Sequence, residues 1–194
     1  RRQEGEGAFN EGEGMEKVVK ALQRLVRALE SARCEYVIVG GLVAIHYGRT
    51  RVTQDIDVVV DTQDLSSLSS ALREQGFEFS QRDLEAAYEE RGRVTLFLPE
   101  EAIFHVDLKF ASDELDYEVL RGRVRGEVMG VECWVESVED IVAAKLIYNS
   151  SQDEEDVIAI LLNKGLNEKM KEKAKKFGVY QKLCGIAEMI GLRC

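Results

Sequence analysis

Hydrophobic residues recur at helical spacing near the beginning of the chain and again beyond residue 63. Over residues 16–30 they form one stripe of an amphipathic helix: Val18, Leu22, Leu25 and Leu29. A similar leucine stripe predicts a second helix over 64–75, which Gly76 would end. These two stripes indicate helices that pack one face against a core.

Short runs rich in β-branched residues lie between and after these helices and predict strands. The first run, at 36–39, ends at a Gly-Gly pair, and a short helix is predicted over 42–47 before the second run, "DIDVVV". Four later segments also predict strands: 94–98, 103–110, 122–129 and 131–135. Gly130 is suited to a hairpin turn between the last two.

The C-terminal part returns to helical spacing. Capping-box patterns at Ser137 and Ser151 predict two helix starts, and further helices are predicted over 167–177 and about 179–190. Alternating strands and helices followed by a run of helices predict an α/β (α+β) fold. In this fold a mixed sheet is flanked by helices, and a helical C-terminal portion follows.

The pattern divides the chain into three segments. We interpret residues 15–136 as the α/β core and 137–194 as the helical C-terminal portion. Residues 1–14 are rich in Gly and Glu, lack periodicity and precede Met15 directly. We therefore interpret 1–14 as a disordered leader or a cloning remnant.

Composition narrows the class of protein. The net charge of −10 disfavours nucleic-acid binding along a broad basic face. No run approaches the roughly 18 apolar residues that a membrane span needs, so no membrane partner is predicted. The four cysteines are scattered and form no C-x-x-C pair, so neither a zinc knuckle nor a disulfide framework is predicted, and a cytoplasmic location is favoured.

Three aspartates give the first indication of chemistry. Asp55 and Asp57 flank Ile56 on a predicted strand, so both carboxylates point to the same face. Like charges this close repel unless a cation lies between them. Asp107, on another predicted strand, supplies a third carboxylate. Three carboxylates on two strands can hold divalent cations, Mg²⁺ (or Mn²⁺), in the arrangement used for phosphoryl and nucleotidyl transfer.

Gly40 and Gly41 lie where a predicted strand ends and a predicted helix begins. Backbone N–H groups at such a turn are expected to be free, and no side chain would block a phosphate. An anion at this turn with cations on the neighbouring strand describes a site for a nucleoside triphosphate.

This pattern resembles the signature of the polymerase-β-like nucleotidyltransferase superfamily: a Gly-Gly pair, then D-h-D on a strand, then a single later Asp. It looks most like the AbiEii-type and related prokaryotic nucleotidyltransferases. The residues that match are Gly40, Gly41, His46, Gly48, Arg51, Thr53, Asp55, Ile56 and Asp57. The later segments "SVEDIVAAKL" and "SQDEEDVIAIL" extend the resemblance over about residues 35–162.

The resemblance implies a nucleotidyltransferase-type sheet and an enzyme that uses Mg²⁺ to transfer a nucleoside monophosphate from an NTP to an acceptor, releasing pyrophosphate. The acceptor would be an RNA end, a protein side chain or a small molecule, and the first two would fit a toxin–antitoxin setting. The implied catalytic residues are Asp55, Asp57, Asp107 and Lys145. The implied nucleotide-binding residues are Gly40, Gly41, Arg51 and Thr53.

Several of these residues have a second interpretation. Arg51 and Thr53 would contact phosphate, orient the cation-binding strand, or simply balance nearby carboxylates. Lys145 lies on the inward stripe of a predicted helix, where it would approach the nucleotide or extend its amine to the surface. The alternative function is a non-catalytic nucleotide-binding regulatory module or an antitoxin-like partner protein, although such a module has no need to keep three carboxylates together.

Overall fold

The computed structural model describes residues 11–100 and 104–194, and within them six strands form one mixed sheet. The strands are β1 Glu35–Val39, β2 Asp55–Asp61, β3 Arg93–Phe97, β4 His105–Phe110, β5 Val124–Val128 and β6 Val131–Val135. Their order across the sheet is β3-β4-β2-β1-β6-β5. β2 lies parallel to β4 and β1 parallel to β6, while the other neighbours are antiparallel. The predicted mixed α/β fold is confirmed.

The described helices flank this sheet and continue beyond it. They are α1 Glu11–Ser31, α2 Gly41–His46, α3 Leu65–Glu74, α4 Gln81–Glu90, α5 Glu114–Gly122, α6 Val138–Tyr148, α7 Ser151–Lys164, α8 Glu168–Lys176 and α9 Tyr180–Met189. The sequence pattern predicted neither α4 nor α5. Since α5 extends to Gly122, the strand predicted over 122–129 begins two residues later, at Val124.

Two elements, α1 and β4, differ from the prediction at their N-terminal ends. Because α1 begins at Glu11, residues 11–14 are helical rather than part of a disordered leader, while 1–10 lie outside the described residues. The predicted strand over 103–110 begins at His105, and its first predicted residue also lies outside the described ranges.

The N-termini of α3 to α8 are fixed by short polar side chains that accept backbone N–H bonds. Ser137 caps α6 as predicted. For α7 the predicted cap at Ser151 is wrong by one residue, because Ser150 accepts from the Asp153 N–H while the Asp153 side chain accepts from the Ser150 N–H. This reciprocal pair is a capping box, which satisfies two donors at once.

Apolar side chains cover both faces of the sheet. The larger cluster joins α1 and the strands to α6 and α7, so the C-terminal helices share the core of the sheet. A smaller cluster lies on the face that α5 covers: Val37, Val59, Ala111, Val119 and Leu120. This second face also carries the candidate site.

The C-terminal tail contains a disulfide between Cys184 and Cys194, whose Cα atoms are 5.3 Å apart. The sequence predicted no disulfide framework, and this disulfide forms because the tail reverses after α9. Gly191, with φ +84°, and Leu192 donate to the last turn of α9, which returns the chain toward Cys184.

Among the helices of the described ranges, none combines the length and apolarity of a membrane span.

Candidate active site

The predicted carboxylates meet at the ends of two neighbouring parallel strands. Asp57 on β2 lies directly opposite Asp107 on β4, and Asp55 lies opposite His105. Positions two apart on a strand share a face, so the four side chains form a compact group. This group lies beside a cavity of about 350 Å³ between the sheet and helices α5 and α6.

Two threonines each hydrogen-bond to one oxygen of a different carboxylate. The Thr53 hydroxyl, on a side chain that is almost fully buried, donates to Asp55 Oδ1 at 2.7 Å. The Thr95 hydroxyl on β3 donates to Asp107 Oδ1 at 2.9 Å. Each contact orients a carboxylate and leaves its second oxygen for another partner. For Thr53, this geometry fits the interpretation that it orients the cation-binding strand.

Asp57 carries a charge that the protein compensates poorly. Burial, together with the nearby Asp55 and Asp107 carboxylates, raises the pKa of Asp57 to about 6. Arg93 and Lys145 oppose this shift but do not cancel it. A bound cation would favour the ionised form of Asp57, so the group fits a divalent ion electrostatically.

The donor atoms also fit such an ion geometrically. One donor atom from each of Asp55, His105 and Asp107 lies within 4.8 Å of the other two. His105 is not among the site residues that the sequence predicts. Its Nε2 atom is 3.4 Å from Asp107 Oδ2.

The Gly-Gly turn lies against Asp57. Gly40 adopts φ +74°, and a Cβ atom there would be 2.6 Å from Asp57 Oδ2. Gly41 has an ordinary φ, but its Cβ would be 2.5 Å from Arg51 Nη2. A side chain at Gly40 would be strained and would displace the Asp57 carboxylate, whereas one at Gly41 would displace the end of the Arg51 side chain.

The expectation that both N–H groups of this turn are free is wrong for Gly40. Its N–H donates to Glu136 Oε1 at 2.8 Å. Glu136 is 2% exposed, and burial raises its pKa to about 8 against the opposing effect of the Gly40 hydrogen bond. The sequence did not single out Glu136, and the only available signal was a glutamate directly between a buried strand and a helix cap.

Lys145 belongs to a buried ionic network. Its Nζ lies 2.8 Å from Asp153 Oδ1 and 3.0 Å from Asp156 Oδ2. Burial acts to lower the pKa of Lys145, but the hydrogen bonds to both aspartates outweigh it and raise the pKa above its ordinary value. Asp156, which is fully buried, also contacts Arg49 Nε at 3.0 Å and Arg51 Nε at 3.2 Å.

The structure thus brings most of the predicted site residues to one cavity. The predicted residues that line the cavity are Gly40, Gly41, Arg51, Asp55, Asp57, Asp107 and Lys145. Thr53 lies outside the lining, where it contacts Asp55. Glu136, Arg93, Lys109 and Tyr148 also line the cavity and were not predicted.

A mixed sheet with paired aspartates beside a Gly-Gly turn defines a nucleotidyltransferase. The chain belongs to the family described as "Nucleotidyltransferase of unknown function (DUF6036)", whose model matches residues 14–177. The prediction of a nucleotidyltransferase is therefore confirmed, and the protein is an enzyme of the class that transfers nucleoside monophosphates. No curated protein sequence is significantly similar to the chain.

Solved structures share the fold at low sequence identity. ANT(2")-Ia in complex with adenylyl-2"-tobramycin has a TM-score of 0.60 and 17% identity, covering 84% of this chain and 97% of that one. The solution structure of the same antibiotic-resistance factor gives 0.57 and 16%, covering 90% and 98%. An antigenic nucleotidyltransferase-like protein from Paracoccidioides brasiliensis gives 0.55 and 17%, covering 94% and 95%. At these identities the likeness establishes the fold alone.

Proposed function

We propose that this nucleotidyltransferase binds an NTP with Mg²⁺ or Mn²⁺ and uses Asp55, Asp57 and Asp107 to transfer the nucleoside monophosphate. The observation that carries the proposal is the register of β2 and β4, which places Asp57 opposite Asp107 with Asp55 on the same face. The raised pKa of Asp57 supports it, because the protein itself leaves that charge uncompensated.

The chain's own residues would act mainly by positioning. Thr53 and Thr95 fix two carboxylates, and the Gly40 N–H bond to Glu136 fixes the turn beside Asp57. A divalent cation held there would neutralise charge on the transferred phosphoryl group and on the attacking oxygen. Asp107 lies on the side of the group away from the Gly-Gly turn, where its carboxylate would accept the proton of an acceptor hydroxyl.

The triphosphate would lie along the Gly40–Gly41 turn. This placement is supported by the absence of side chains at the turn and by its position at the edge of the cavity. Arg51 and Lys145 line the same cavity while their charged groups contact Asp156. We propose that both cations, held in place by Asp156, face the nucleotide phosphates.

The acceptor belongs to one of three classes: an RNA end, a protein side chain or a small hydroxylated molecule. The closeness to AbiEii-type enzymes, and with it a toxin–antitoxin role, rests on the Gly40 to Asp57 sequence pattern. The structure of ANT(2")-Ia contains an adenylylated tobramycin, which makes aminoglycosides a reasonable small-molecule arm of the test.

The test is transfer of label from each α-labelled NTP, with Mg²⁺ or Mn²⁺, to total RNA, to lysate protein or to aminoglycosides. We expect one arm to become labelled and to release pyrophosphate, and we expect Asp107→Asn to abolish the label. If the protein binds NTP but labels nothing in any arm, the regulatory-module alternative replaces catalytic transfer. Equal labelling by Asp107→Asn would remove that residue from the proposed site.

A further inference from the structure

His105 lies beside the carboxylates of Asp55, Asp57 and Asp107. In the parallel pairing of β2 with β4, His105 lies opposite Asp55 just as Asp107 lies opposite Asp57. The imidazole shares its face of β4 with Asp107 because the two residues are two positions apart. On its other side the ring is near the Phe97 ring, with a centroid distance of 6.4 Å.

The donor atoms of this group lie near the spacing of ligands on one ion. Neighbouring ligands on an octahedral ion with bonds of about 2.1 Å lie roughly 3 Å apart, and opposite ligands about 4 Å apart. His105 Nε2 and Asp107 Oδ2 are 3.4 Å apart, and a donor atom of Asp55 completes a set that lies within 4.8 Å. Thr95 holds the other oxygen of Asp107, so Oδ2 remains available beside the imidazole.

We propose that His105 is a direct protein ligand of the cation held by Asp55 and Asp107, and that it makes this site prefer Mn²⁺ to Mg²⁺. The inference rests on the proposed function, in which these carboxylates bind a divalent cation. Mg²⁺ takes oxygen ligands and binds imidazole nitrogen poorly, whereas first-row transition ions accept both. A nitrogen ligand among carboxylates therefore shifts the preference of the site toward Mn²⁺.

A purely electrostatic role for His105 predicts a different outcome. If the imidazole served only as an ion-pair partner of Asp107, its removal would change the affinity for Mg²⁺ and Mn²⁺ by a similar factor. The ratio of the two affinities therefore separates ligation from charge pairing, and it does so without any measurement of activity.

The chain offers a matched control, because it contains two histidines, His46 and His105. The metal-stripped 194-residue chain, without an affinity tag, would be titrated with Mn²⁺, followed by electron paramagnetic resonance of the free ion, and with Mg²⁺ in competition. We expect His105→Asn to weaken Mn²⁺ binding about 10-fold or more while Mg²⁺ binding changes less than about 3-fold. His46→Asn should match the parent for both ions.

A second measurement uses the parent protein alone and so does not depend on the variant folding. Pulsed electron paramagnetic resonance of bound Mn²⁺ should show coupling to one imidazole nitrogen. The absence of that coupling, or an unchanged Mn²⁺-to-Mg²⁺ ratio in His105→Asn, would overturn the role of His105 while leaving the carboxylate site in place. A parent that binds neither ion would overturn the proposed cation site and this inference together.

Discussion

Asp57 is suited to bind a cation, but its charge lowers the stability of the cation-free protein at neutral pH. Its pKa is raised to about 6 by burial and by Asp55 and Asp107. An acid whose folded pKa lies above its unfolded value contributes stability at low pH, and this contribution is lost as the pH rises through about 6. At neutral pH the cation-free protein therefore carries a repulsion that a cation would relieve.

Asp57→Asn should remove this repulsion and the cation ligand together. At pH 7.5 we expect the variant to be more stable than the parent by about 1–2 kcal/mol, with the difference vanishing near pH 4, where both side chains are neutral. The apparent affinity for Mn²⁺–NTP or Mg²⁺–NTP, measured from the stabilisation that the ligand gives, should fall at least about 10-fold. Thermal melts with and without ligand across this pH range measure both effects, and unchanged ligand stabilisation would contradict the proposed role.

Glu136 gives a second pH dependence, which is separate from cation binding. Because burial raises its pKa to about 8, the folded chain holds a proton that the unfolded chain has released between about pH 4.5 and 8. The contribution of Glu136 is thus fully present below its ordinary pKa and is lost as the pH rises through about 8.

Glu136→Gln keeps an oxygen that can accept the Gly40 N–H bond, but the glutamine side chain cannot ionise. We expect it to be as stable as the parent near pH 4.5 and more stable by roughly 2–4 kcal/mol at pH 8.5. Denaturant unfolding at both pH values tests this. If the two proteins lose stability in parallel between these values, then Glu136 does not titrate in this range.

The residue scale also shows what the sequence could not predict. Asp55 and Asp57 are recognisable because they are two apart on one strand. Glu136 reaches Gly40 across 96 positions, through the pairing of β6 with β1. Thr95 reaches Asp107 through the register of β3 with β4. Such contacts follow from strand pairing, which short-range spacing does not determine.

At the scale of elements, local pattern was sufficient where burial is strong. β6 was predicted with its observed bounds, and β1, β2 and β3 lie within one residue of prediction. α4 was missed because only Leu84 and Ala87 of its ten residues are buried, so its apolar stripe is thin. α5 is short, and its first turn is marked by Asp113 and by acidic residues, which are equally typical of a loop.

The Gly-Gly turn between β1 and α2 is the element on which the proposed nucleotide site depends most. Gly40→Ala would place a side chain at a positive φ, where it is strained, and its Cβ would collide with the Asp57 carboxylate. Gly130, in the hairpin between β5 and β6, has a similar φ of +80° but no heavy atom within 4 Å of an added Cβ. The hairpin therefore isolates the cost of strain alone.

We expect Gly130→Ala to lose about 1 kcal/mol of stability and Gly40→Ala to lose about 2 kcal/mol or more. Cation-induced stabilisation should fall only in Gly40→Ala, because only there is the carboxylate displaced. Denaturant unfolding with and without Mn²⁺ compares the two variants. A Gly40→Ala protein that binds the cation as the parent does would show that the turn does not constrain Asp57.

At the scale of the whole molecule, the segments 15–136 and 137–194 are joined by a shared core and by one buried ionic network. Arg49 and Arg51, in the loop before β2, reach Asp156 on α7, and Lys145 on α6 reaches the same carboxylate. Asp153 supports Lys145 from the first turn of α7 and completes the capping box of that helix with Ser150. The C-terminal helices thereby hold Arg51 and Lys145, which line the cavity together with the carboxylates of the sheet.

Asp156→Asn should uncouple this arrangement. It removes the charge of a fully buried carboxylate and leaves three cations without their common partner, so we expect a loss of about 3–5 kcal/mol. Asp153→Asn is the matched control and should lose only about 1–2 kcal/mol, because Asp156 still compensates Lys145.

Amide hydrogen exchange gives the readout that stability alone does not. If the network joins the two segments, Asp156→Asn should increase exchange both in the loop over 47–54 and in the first turns of α7, although these lie about a hundred positions apart in the chain. Exchange that rises only in α7 would show that Arg49 and Arg51 do not depend on Asp156. Arg51 and Lys145 would then be positioned by the shared apolar core, and nucleotide affinity should survive the substitution.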